Sequence, residues 1–428
     1  MKISLLILAI IISYCYSNLF GQATIKVMQY NLLYYGQTTT DCNTTNNSVT
    51  DKNNYLKTIV DYVLPDILTV NEMAPNMTYV QSLLNNVMNT SGRTYYKNGP
   101  YTNWAGSEIV NMVYYNSNKL TLYNSDYIFH SLRDISVYEF YYNSPDLAQG
   151  DTAFISCIVA HLKAGNTGSD AAVRDEMTTN IMTYVEGQGV GKNYLLMGDF
   201  NTYSSSEEAV KNITLYPSSP YLFHDPINKL GDWSNNSYYA GCHTQSTHTV
   251  SGCAAGGGLD DRFDFIFISD NIFNNIDKVS YITDSYHTIG QDGLHFNSAV
   301  NSGTNQDVSA NIADALYGMS DHLPVVLELN IAQTPVQGIE TITNGMNLFY
   351  NNPVNENLVV SFSGNLTYPK EGSLKIYNSV GELVKDKDFV YTNENYSITC
   401  PVDDLKNGIY FFVVNLGNVS SVKKIIKL

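Results

Sequence analysis

The sequence predicts an α+β domain followed by a small all-β domain. Strand-like and helix-like segments alternate from residue 24 to residue 331. Around residues 333–338 they give way to a connector with Pro and Gly, and from residue 348 only short alternating segments separated by turn signals remain. A chain of 428 residues also exceeds what one hydrophobic core usually organises, so two domains are expected.

The predicted strands of the first domain share one feature, a polar residue at or near an end. Apolar spacing and capping residues predict helices over residues 51–64 and 169–185. Catalytic groups are found disproportionately on loops carried by a rigid sheet, so the strand ends are candidate sites. The strands and their polar neighbours are residues 25–30 with Asn31, 67–70 with Asn71 and Glu72, 154–160 with His161, 194–197 with Asp199, 263–268 with Asp264, and 323–329 with Asp321 and His322.

Composition limits the classes of function. Hydrophobic residues make up 44% and charged residues 15%, which excludes a disordered acidic protein. The net charge of -17 argues against binding of nucleic acid through a broad basic face, because phosphate contacts need Lys and Arg. It does not exclude a nuclease, since divalent cations can bridge substrate phosphate and protein carboxylates.

The N-terminus predicts export. Met1-Lys2 precedes an apolar run, Ile3 to Ile12, that is too short to span a membrane comfortably, and a small and polar stretch follows. We interpret residues 1–22 as a signal peptide cleaved near Gln22, with an uncleaved anchor as the alternative. No later segment is apolar enough to span a bilayer, so the mature protein is expected to lack a transmembrane segment.

The cysteines of an exported chain can form disulfides. Cys242 and Cys253 bracket a short polar loop and are the expected pair, whereas Cys157 lies in an apolar strand and is expected to be a buried thiol. Zinc binding by these two loop cysteines with His243 and His248 is an alternative, although the spacing matches no standard ligand pattern.

The strand-end residues are of the types that hydrolysis of a phosphodiester requires. The reaction needs a cation to neutralise phosphoryl oxygens, an activated water, and donors for developing charge. The carboxylate of Glu72 and the amide oxygen of Asn31 are hard ligands that suit Mg²⁺ or Mn²⁺. Any one such residue is weak evidence, because an Asp or Asn after a strand is more often a turn former.

In this order, the set resembles the endonuclease/exonuclease/phosphatase superfamily, the DNase I-like fold, over nearly all of residues 24–331. The resemblance implies a four-layer α/β/β/α sandwich and a metal-dependent phosphodiester hydrolase. Together with the exported context and the two histidines, it predicts a secreted enzyme, most simply an extracellular nuclease acting on DNA or RNA. The motifs that carry it are Gln29-Tyr30-Asn31, Asn71-Glu72-Met73, His161-Leu162-Lys163, Gly198-Asp199-Phe200-Asn201, Arg262-Phe263-Asp264 and Ser320-Asp321-His322-Leu323-Pro324-Val325.

The resemblance also implies roles. Glu72, with Asn31 and Asp321, would hold Mg²⁺ or Mn²⁺. His322 would act as the base, oriented by Asp264, because a carboxylate fixes the imidazole tautomer and stabilises the imidazolium.

The remaining predicted roles concern the substrate. Asp199 and Asn201 would position the nucleophilic water or the scissile phosphate, and His161 would donate to a phosphate oxygen or the leaving group. Lys163 and Arg174 are candidate phosphate contacts, with a solvated helix arginine as the alternative for Arg174.

Two departures from the family pattern stand out. Asn71 replaces the usual Gln before the metal-binding Glu. The sequence also identifies no firm carboxylate partner for His161, for which Glu108 is a candidate.

The second domain, residues 348–428, resembles the C-terminal sorting domain of bacterial type IX secretion substrates, with residues 332–347 as the linker. The matching features are Asn351-Asn352-Pro353-Val354, Ile376-Tyr377-Asn378 with Gly381, Leu405 with Asn407-Gly408-Ile409-Tyr410, and the basic end Lys423-Lys424 and Lys427. This implies the type IX machinery as a partner, passage through a bacterial periplasm, and a secreted or surface location. An accessory sandwich that binds substrate or a surface is the alternative.

Two other functions stay open at this stage. A sphingomyelinase-like or other phosphodiesterase or phosphatase would use the same residues, because His161-Leu162-Lys163 also resembles the corresponding motif of sphingomyelinase-type members. An inactive surface-binding protein is disfavoured, because none of the expected acidic or imidazole positions is replaced.

Overall fold

The computed structural model describes residues 23–144, 147, 152–188, 192–215, 222–332, 340–342, 346–363, 370–379, 381–391, 395–416 and 419–427. The predicted signal peptide, residues 1–22, and most of the predicted linker, residues 332–347, lie outside these ranges. The described residues up to 332 form one compact unit, and those from 340 onward form a second.

The first unit alternates strands and helices. Its strands are β1 (Ala23–Tyr35), β2 (Ile67–Met73), β3 (Tyr96–Asn98), β4 (Val110–Asn116), β5 (Leu120–Ile128), β6 (Ile135–Tyr142), β7 (Phe154–His161), β8 (Tyr194–Asp199), β9 (Phe223–His224), β10 (Asp264–Ser269), β11 (Val279–Tyr281), β12 (His287–Thr288) and β13 (Val325–Ile331). Its α-helices are α1 (Val49–Val63), α2 (Met77–Leu83), α3 (Gly168–Gly187), α4 (Glu208–Thr214), α5 (Asp270–Phe273) and α6 (Ala310–Met319). No helix in the described ranges is long and apolar enough to cross a membrane.

These strands form two mixed sheets. The first has the order β11-β13-β1-β2-β4-β3, with β12 also paired to β13, and the second has the order β5-β6-β7-β8-β10-β9. Within the first sheet β1 runs parallel to β2, and within the second β7 runs parallel to β8. Each parallel pair therefore brings the residues at the ends of its two strands to one edge.

Three buried cores separate four layers. Val27 and Met28 of β1 point to opposite faces, so Met28 packs against α1 through Leu56 while Val27 enters the core between the sheets with Ile155 of β7. The other face of the second sheet packs against α3, where Met177 is buried. The predicted four-layer α/β/β/α sandwich is confirmed.

Helix α1 begins two residues before the predicted start. Ser48, in extended conformation, is its N-cap and accepts a hydrogen bond from the backbone N–H of Asp51, so Asp51 lies in the first turn. Helix α3 begins with a reciprocal capping box between Thr167 and Asp170. Both caps use short polar side chains just upstream of the apolar periodicity, so that periodicity alone places the helix start too late.

A buried ion pair holds the start of β10. Both terminal nitrogens of Arg262 donate to the carboxylate of Asp225, each at 2.8 Å, and both side chains are at most 2% exposed. The Arg262 guanidinium also lies over the ring of Phe265, with Cζ 4.4 Å from the centroid. Arg262 therefore anchors the strand that begins two residues later with Asp264.

The disulfide differs from the predicted one. Cys253 is bonded to Cys42, 211 residues earlier in the chain, and Cys242 is a buried free thiol, as is Cys157. The expected Cys242–Cys253 pair is therefore wrong, because the fold brings the loop after β1 next to the loop that carries Cys253. The zinc alternative fails for the same reason, and His243 instead contacts the carbonyl oxygen of Trp233.

The second unit is all-β and has two four-stranded sheets. They share one apolar core, in which Leu374, Phe412 and Val414 are fully buried. The strands are β14 (Glu340–Ile342), β15 (Met346–Tyr350), β16 (Asn357–Ser363), β17 (Lys370–Asn378), β18 (Leu383–Tyr391), β19 (Asn395–Pro401), β20 (Gly408–Leu416) and β21 (Val419–Lys427). The predicted small β-sandwich is confirmed.

Substitution of Asp225 by Ala should destabilise the first unit strongly. It leaves the Arg262 guanidinium buried without its carboxylate, which typically costs about 3–5 kcal/mol. Both tryptophans lie in the first unit, so urea unfolding followed by their fluorescence measures this loss. Glu208→Ala, which breaks an exposed pair with Lys211, is the control and should change the free energy of unfolding by less than about 1 kcal/mol. Equal losses in the free energy of unfolding for the two variants would contradict a stabilising role of the Asp225–Arg262 pair.

The disulfide predicts a specific peptide map. Proteolysis of the non-reduced protein should release a Cys42–Cys253 linked peptide and leave Cys242 free for alkylation. Cys42→Ser should lower the free energy of unfolding by about 2–4 kcal/mol, because the bond closes a very long loop. Cys242→Ser, which removes only a buried thiol, is the control, and recovery of a Cys242–Cys253 peptide would refute the pairing.

Candidate active site

Strand register gathers the predicted residues at one rim of the sandwich. In the second sheet, Asp199 at the end of β8 lies between His161 of β7 and Asp264 of β10. In the first sheet, Asn31 of β1 lies beside Asn71 of β2, the residue before Glu72. The polar residues of the two sheets therefore face each other at the end of the inter-sheet core.

Asn71 ties the two sheets together at this rim. Its Oδ1 accepts hydrogen bonds from the backbone N–H of Asp199 at 3.0 Å and from the side chain of Gln29 at 2.6 Å. Its Nδ2 donates to Asn111 at 2.7 Å and to the carbonyl oxygen of Ala160 at 3.2 Å. The Asn71 amide thus fills a fully hydrogen-bonded structural position.

The Gly-Asp-Phe-Asn turn needs its glycine. Gly198 has φ of +144°, and a Cβ there would lie 1.7 Å from the carbonyl oxygen of Ala160 on the neighbouring strand. Asn201 closes the turn with φ of 50° and donates its backbone N–H to Asp199 Oδ1 at 3.0 Å. Glu72 also has a positive φ, 59°. Such left-handed non-glycine residues persist where the surroundings enforce them, often at functional sites.

Asp199 lies between the two predicted catalytic histidines. Its Oδ2 is 3.6 Å from Nε2 of His161 and 3.6 Å from Nε2 of His322, and it accepts a 2.9 Å hydrogen bond from Asn31 Nδ2. Asn31 Nδ2 also donates to Glu72 Oε1 at 3.0 Å. One carboxylate oxygen is thus shared by two imidazoles and an amide.

His322 is oriented by two side chains. Its Nδ1 is 2.7 Å from Asp264 Oδ2, so the ring proton on Nδ1 is donated to a carboxylate and Nε2 faces Asp199. Gln245 Nε2 lies 2.7 Å from the same Nε2 atom. Burial alone would lower the pKa of His322, but the negative charges of Asp264 and Asp199 raise that pKa well above the ordinary value. Gln245 was not among the residues predicted from the sequence.

His161 has an arginine as its neighbour, and the predicted carboxylate candidate, Glu108, is exposed. Arg133 Nη1 contacts His161 Nδ1, and because a guanidinium only donates, Nδ1 must accept and the ring proton lies on Nε2. Burial, followed by the charges of Arg133 and His322, holds the pKa of His161 well below the ordinary value, so the ring is neutral. Its Nε2–H points toward Asp199 and toward Glu72, whose Oε1 is 3.7 Å away.

Arg133 was missed because it lies in the β5–β6 hairpin outside every quoted motif. Within the described part of the chain its Nε is buried and has no hydrogen-bond partner. Its charge lowers the pKa of Glu72 and of His161. It therefore supplies a positive charge, and a donor without a protein acceptor, next to the catalytic candidates.

Negative charge is in excess at this rim. Burial raises the pKa of Asp199 to about 7, and the nearby carboxylates of Asp264 and Glu72 contribute to the rise. Burial and the charge of Asp321 likewise raise the pKa of Glu72. Crowded, buried carboxylates of this kind suit a divalent cation, which would relieve their repulsion.

The donor set fits a hard metal ion. Ligand atoms of Glu72, His161 and Asp199 all lie within 4.8 Å of one another. The proton on His161 Nε2 makes the carboxylates the better ligands of this group. Asp321 adds a further carboxylate, and its Oδ2 accepts the backbone N–H of Ala255 at 2.9 Å.

The cavity above these residues measures about 470 Å³. It is lined by Glu72, His161, Asp199, Asn201, Asp321 and His322, and by Gln245, Cys42 and Cys253. The disulfide thus forms part of its wall, two residues from Ala255. Six of the ten predicted site residues meet in one space.

The two predicted phosphate contacts, Arg174 and Lys163, do not line this cavity. Arg174 is 1% exposed and is occupied by Glu207, at 2.7 Å, and by the carbonyl oxygens of Lys163 and Gly165. Its prediction as a phosphate contact, and the solvated alternative, are therefore wrong, because α3 turns the side chain inward against the loop after β7. Lys163 Nζ pairs with Asp170 at 2.9 Å.

A buried lysine connects two segments that carry site residues. Lys52 Nζ donates to the carbonyl oxygens of Leu32 and Leu33, both at 2.7 Å, and of Met319 at 2.9 Å. Burial lowers the pKa of Lys52 to about 7. It joins the end of β1 to the segment that carries Asp321. In the sequence, a lysine on a helix is indistinguishable from a solvated one, so this structural role of Lys52 could not be predicted.

The chain resembles several solved structures at low identity. D. rerio TDP2 complexed with single strand DNA product is 14% identical, covers 72% of this chain and 100% of its own, and has a TM-score of 0.46. The human Nocturnin catalytic domain with bound sulfate anion is 15% identical, with coverage of 73% and 98% and a TM-score of 0.44. An endonuclease/exonuclease/phosphatase from Beutenbergia cavernae is 14% identical, with coverage of 94% and 99% and a TM-score of 0.42. The fold assignment rests on the sheet order and layers described above.

No curated protein matches the sequence. The sequence model of the secretion system C-terminal sorting domain matches residues 348–428, which are strands β16 to β21 with most of β15. This part of the chain is therefore a sorting domain, and the protein is one that type IX secretion delivers to the cell surface or the extracellular space.

Proposed function

We propose that the first unit is an extracellular, divalent-metal-dependent phosphodiester hydrolase whose substrate class is nucleic acid. The observation that carries the proposal is the placement of two imidazoles on either side of one carboxylate oxygen, each with Nε2 at 3.6 Å from Asp199 Oδ2. The two rings differ in protonation, since His322 faces a carboxylate through Nδ1 and His161 faces a guanidinium. Their environments therefore suit one base, His322, and one neutral hydrogen-bond donor, His161.

The base role falls to His322. Its Nε2 would take a proton from water as the water oxygen bonds to phosphorus, and Asp264 at Nδ1 would stabilise the imidazolium. Asp199 and Gln245, both beside Nε2, would hold that water in line. The raised pKa of His322 reflects the surrounding carboxylates, whose charge a bound cation would offset.

The donor role falls to His161. Its neutral ring would donate the Nε2–H hydrogen bond to the leaving oxygen and stabilise the negative charge that develops there as the phosphorus–oxygen ester bond breaks, and the leaving oxygen would take its proton from solvent. Arg133 keeps the proton on Nε2 by occupying Nδ1, and its charge lies beside that of Glu72. This gives His161 a tautomer-fixing partner that the sequence did not reveal.

The metal ligands would be Glu72 and Asp321, with Asn31 beside them. A cation bound there, Mg²⁺ or Mn²⁺ by the preference of oxygen ligands, would neutralise charge on the phosphoryl oxygens. Asn31 Oδ1 accepts the N–H of Leu33 in the structure, and its Nδ2 bridges two carboxylates. Asn31 thus fixes the Glu72 carboxylate beside that of Asp199.

Metal dependence is the first test. The full chain, incubated with DNA, RNA, sphingomyelin and a generic phosphodiester, should cleave a nucleic acid with Mg²⁺ and lose the activity with chelator. Glu72→Gln should raise the Mg²⁺ concentration needed for half-maximal rate, because the variant loses one anionic ligand. Glu108→Gln removes an exposed carboxylate and serves as the control. Chelator-insensitive cleavage would refute the metal-dependent mechanism. Cleavage of sphingomyelin alone would show that the substrate is a lipid and not a nucleic acid.

Loss of the base is the second test. His322→Ala should lower kcat by about 10²- to 10⁴-fold, the usual contribution of a general base. His224→Ala is the matched control, because His224 also pairs with an aspartate, Asp270, but outside the cavity. The circular dichroism of both variants should match that of the unaltered protein. Comparable kcat in the two variants would rule out His322 as the base.

A further inference from the structure

An exposed aromatic pair lies on the flank of the first unit. The rings of Trp104 and Tyr127 stack with centroids 6.0 Å apart and planes inclined by 24°. Trp104 is 71% exposed, which leaves one face of its indole open to solvent. A large exposed aromatic ring that stacks on a second ring offers a flat surface to another planar group.

Strand register places this pair at the rim that holds the candidate active site. In the second sheet, Val159 of β7 pairs with Ser136 of β6, so β6 begins where β7 ends at His161. Ile135 in turn pairs with Ile128, so β5, which carries Tyr127, ends at the same rim.

The other ring reaches this rim from the first sheet. Val110 of β4 pairs with Met73 of β2, the residue after Glu72. The loop of residues 99–109, which carries Trp104, therefore ends at the level of Glu72.

The Trp104 loop is fixed by hydrogen bonds. The side chain of Asn103 accepts the N–H of Ser107 at 2.8 Å and donates to its carbonyl oxygen at 2.9 Å. The backbone N–H of Trp104 donates to Asp134 Oδ2 at 2.7 Å. Asp134 follows Arg133, whose guanidinium contacts His161. The ring is thus held by the same β5–β6 hairpin that supplies a cation to the catalytic candidates.

The geometry points to a stacking site on Trp104 for an unpaired nucleobase of a strand whose phosphodiester lies in the cavity. This assignment rests on the proposed hydrolase function. Single-strand binders combine a phosphate-binding site with aromatic rings on which bases stack, and here the hairpin that holds the Trp104 loop through Asp134 also contacts His161 of the cavity through Arg133. The neighbours of Trp104 in the loop include polar Asn103, Ser107 and Glu108, which suits a planar polar ligand better than insertion into a lipid surface.

The kinetic test compares two substrates. Trp104→Ala should raise KM about tenfold for a short single-stranded oligothymidylate, by loss of one stacked base, and leave kcat unchanged. An abasic strand of the same length should show no difference between the variant and the unaltered chain. In Trp104→Phe, which keeps an aromatic ring, KM should return most of the way to the value of the unaltered chain. Tyr123→Ala, on the same strand as Tyr127 and 63% exposed, is the control and should leave KM unchanged.

A direct readout is available because the chain has two tryptophans, Trp104 and the fully buried Trp233. In a His322→Ala background with Mg²⁺, the oligothymidylate should quench the exposed tryptophan and the abasic strand should not. The response should vanish in Trp104→Phe.

The outcomes separate the two proposals. Equal quenching by both strands, or an unchanged KM in Trp104→Ala, would overturn the stacking site and leave the hydrolase intact. Base-dependent quenching without cleavage by the unaltered chain would keep the stacking site and refute the hydrolase. If the fluorescence emission of Trp104 shifts to shorter wavelength on phosphatidylcholine vesicles and does not respond to the oligothymidylate, the nucleobase assignment is overturned. Trp104 would then contact a membrane surface.

Discussion

The arrangement of the site depends on Asp199, a buried carboxylate at the point where the two sheets converge. Its backbone N–H bonds to Asn71 of the opposite sheet, and its Oδ1 closes the turn to Asn201. The remaining oxygen faces both imidazoles and Asn31. A charge in this position is costly to bury, and burial raises its pKa to about 7. The surrounding donors, and the cation proposed to bind beside it, are what make the carboxylate tolerable there.

The same constraint explains the backbone around it. Gly198 is required because the strand carrying Asp199 passes so close to Ala160 that a Cβ would collide with the carbonyl oxygen. Glu72 and Asn201 take left-handed conformations at the ends of their strands. These are local departures from strand geometry. The packed layers of the sandwich around these strand ends can enforce them.

Sequence reasoning could find the residues at strand ends but not their neighbours from elsewhere. Asp264, Asp199 and His322 stand beside apolar segments in recognisable motifs, so both the fold and their grouping could be predicted. Arg133 lies in a hairpin with no such context, and its contact with His161 arises only when β6 pairs with β7.

The errors have the same origin. Cys253 was assigned a partner close in sequence, whereas its partner comes from the loop after β1, 211 residues away. Arg174 and Lys52 are both charged residues on helices that sequence cannot distinguish from solvated ones, yet both are buried and occupied by protein acceptors. Predictions failed where the side chain's environment is made by segments distant in the chain.

The acidity of the protein bears on how it could bind an anionic substrate. A net charge of -17 would repel a polyanion from most of the surface, so attraction must be local. The cavity is lined by a carboxylate cluster suited to a divalent cation, and one guanidinium, that of Arg133, contacts His161 of its wall. Arg133 is followed by Asp134, which fixes the loop of Trp104. Under the proposed function, a substrate held there would be recognised by its phosphate and by a planar group at the same time, which would allow an acidic extracellular protein to select a nucleic acid strand without a basic face.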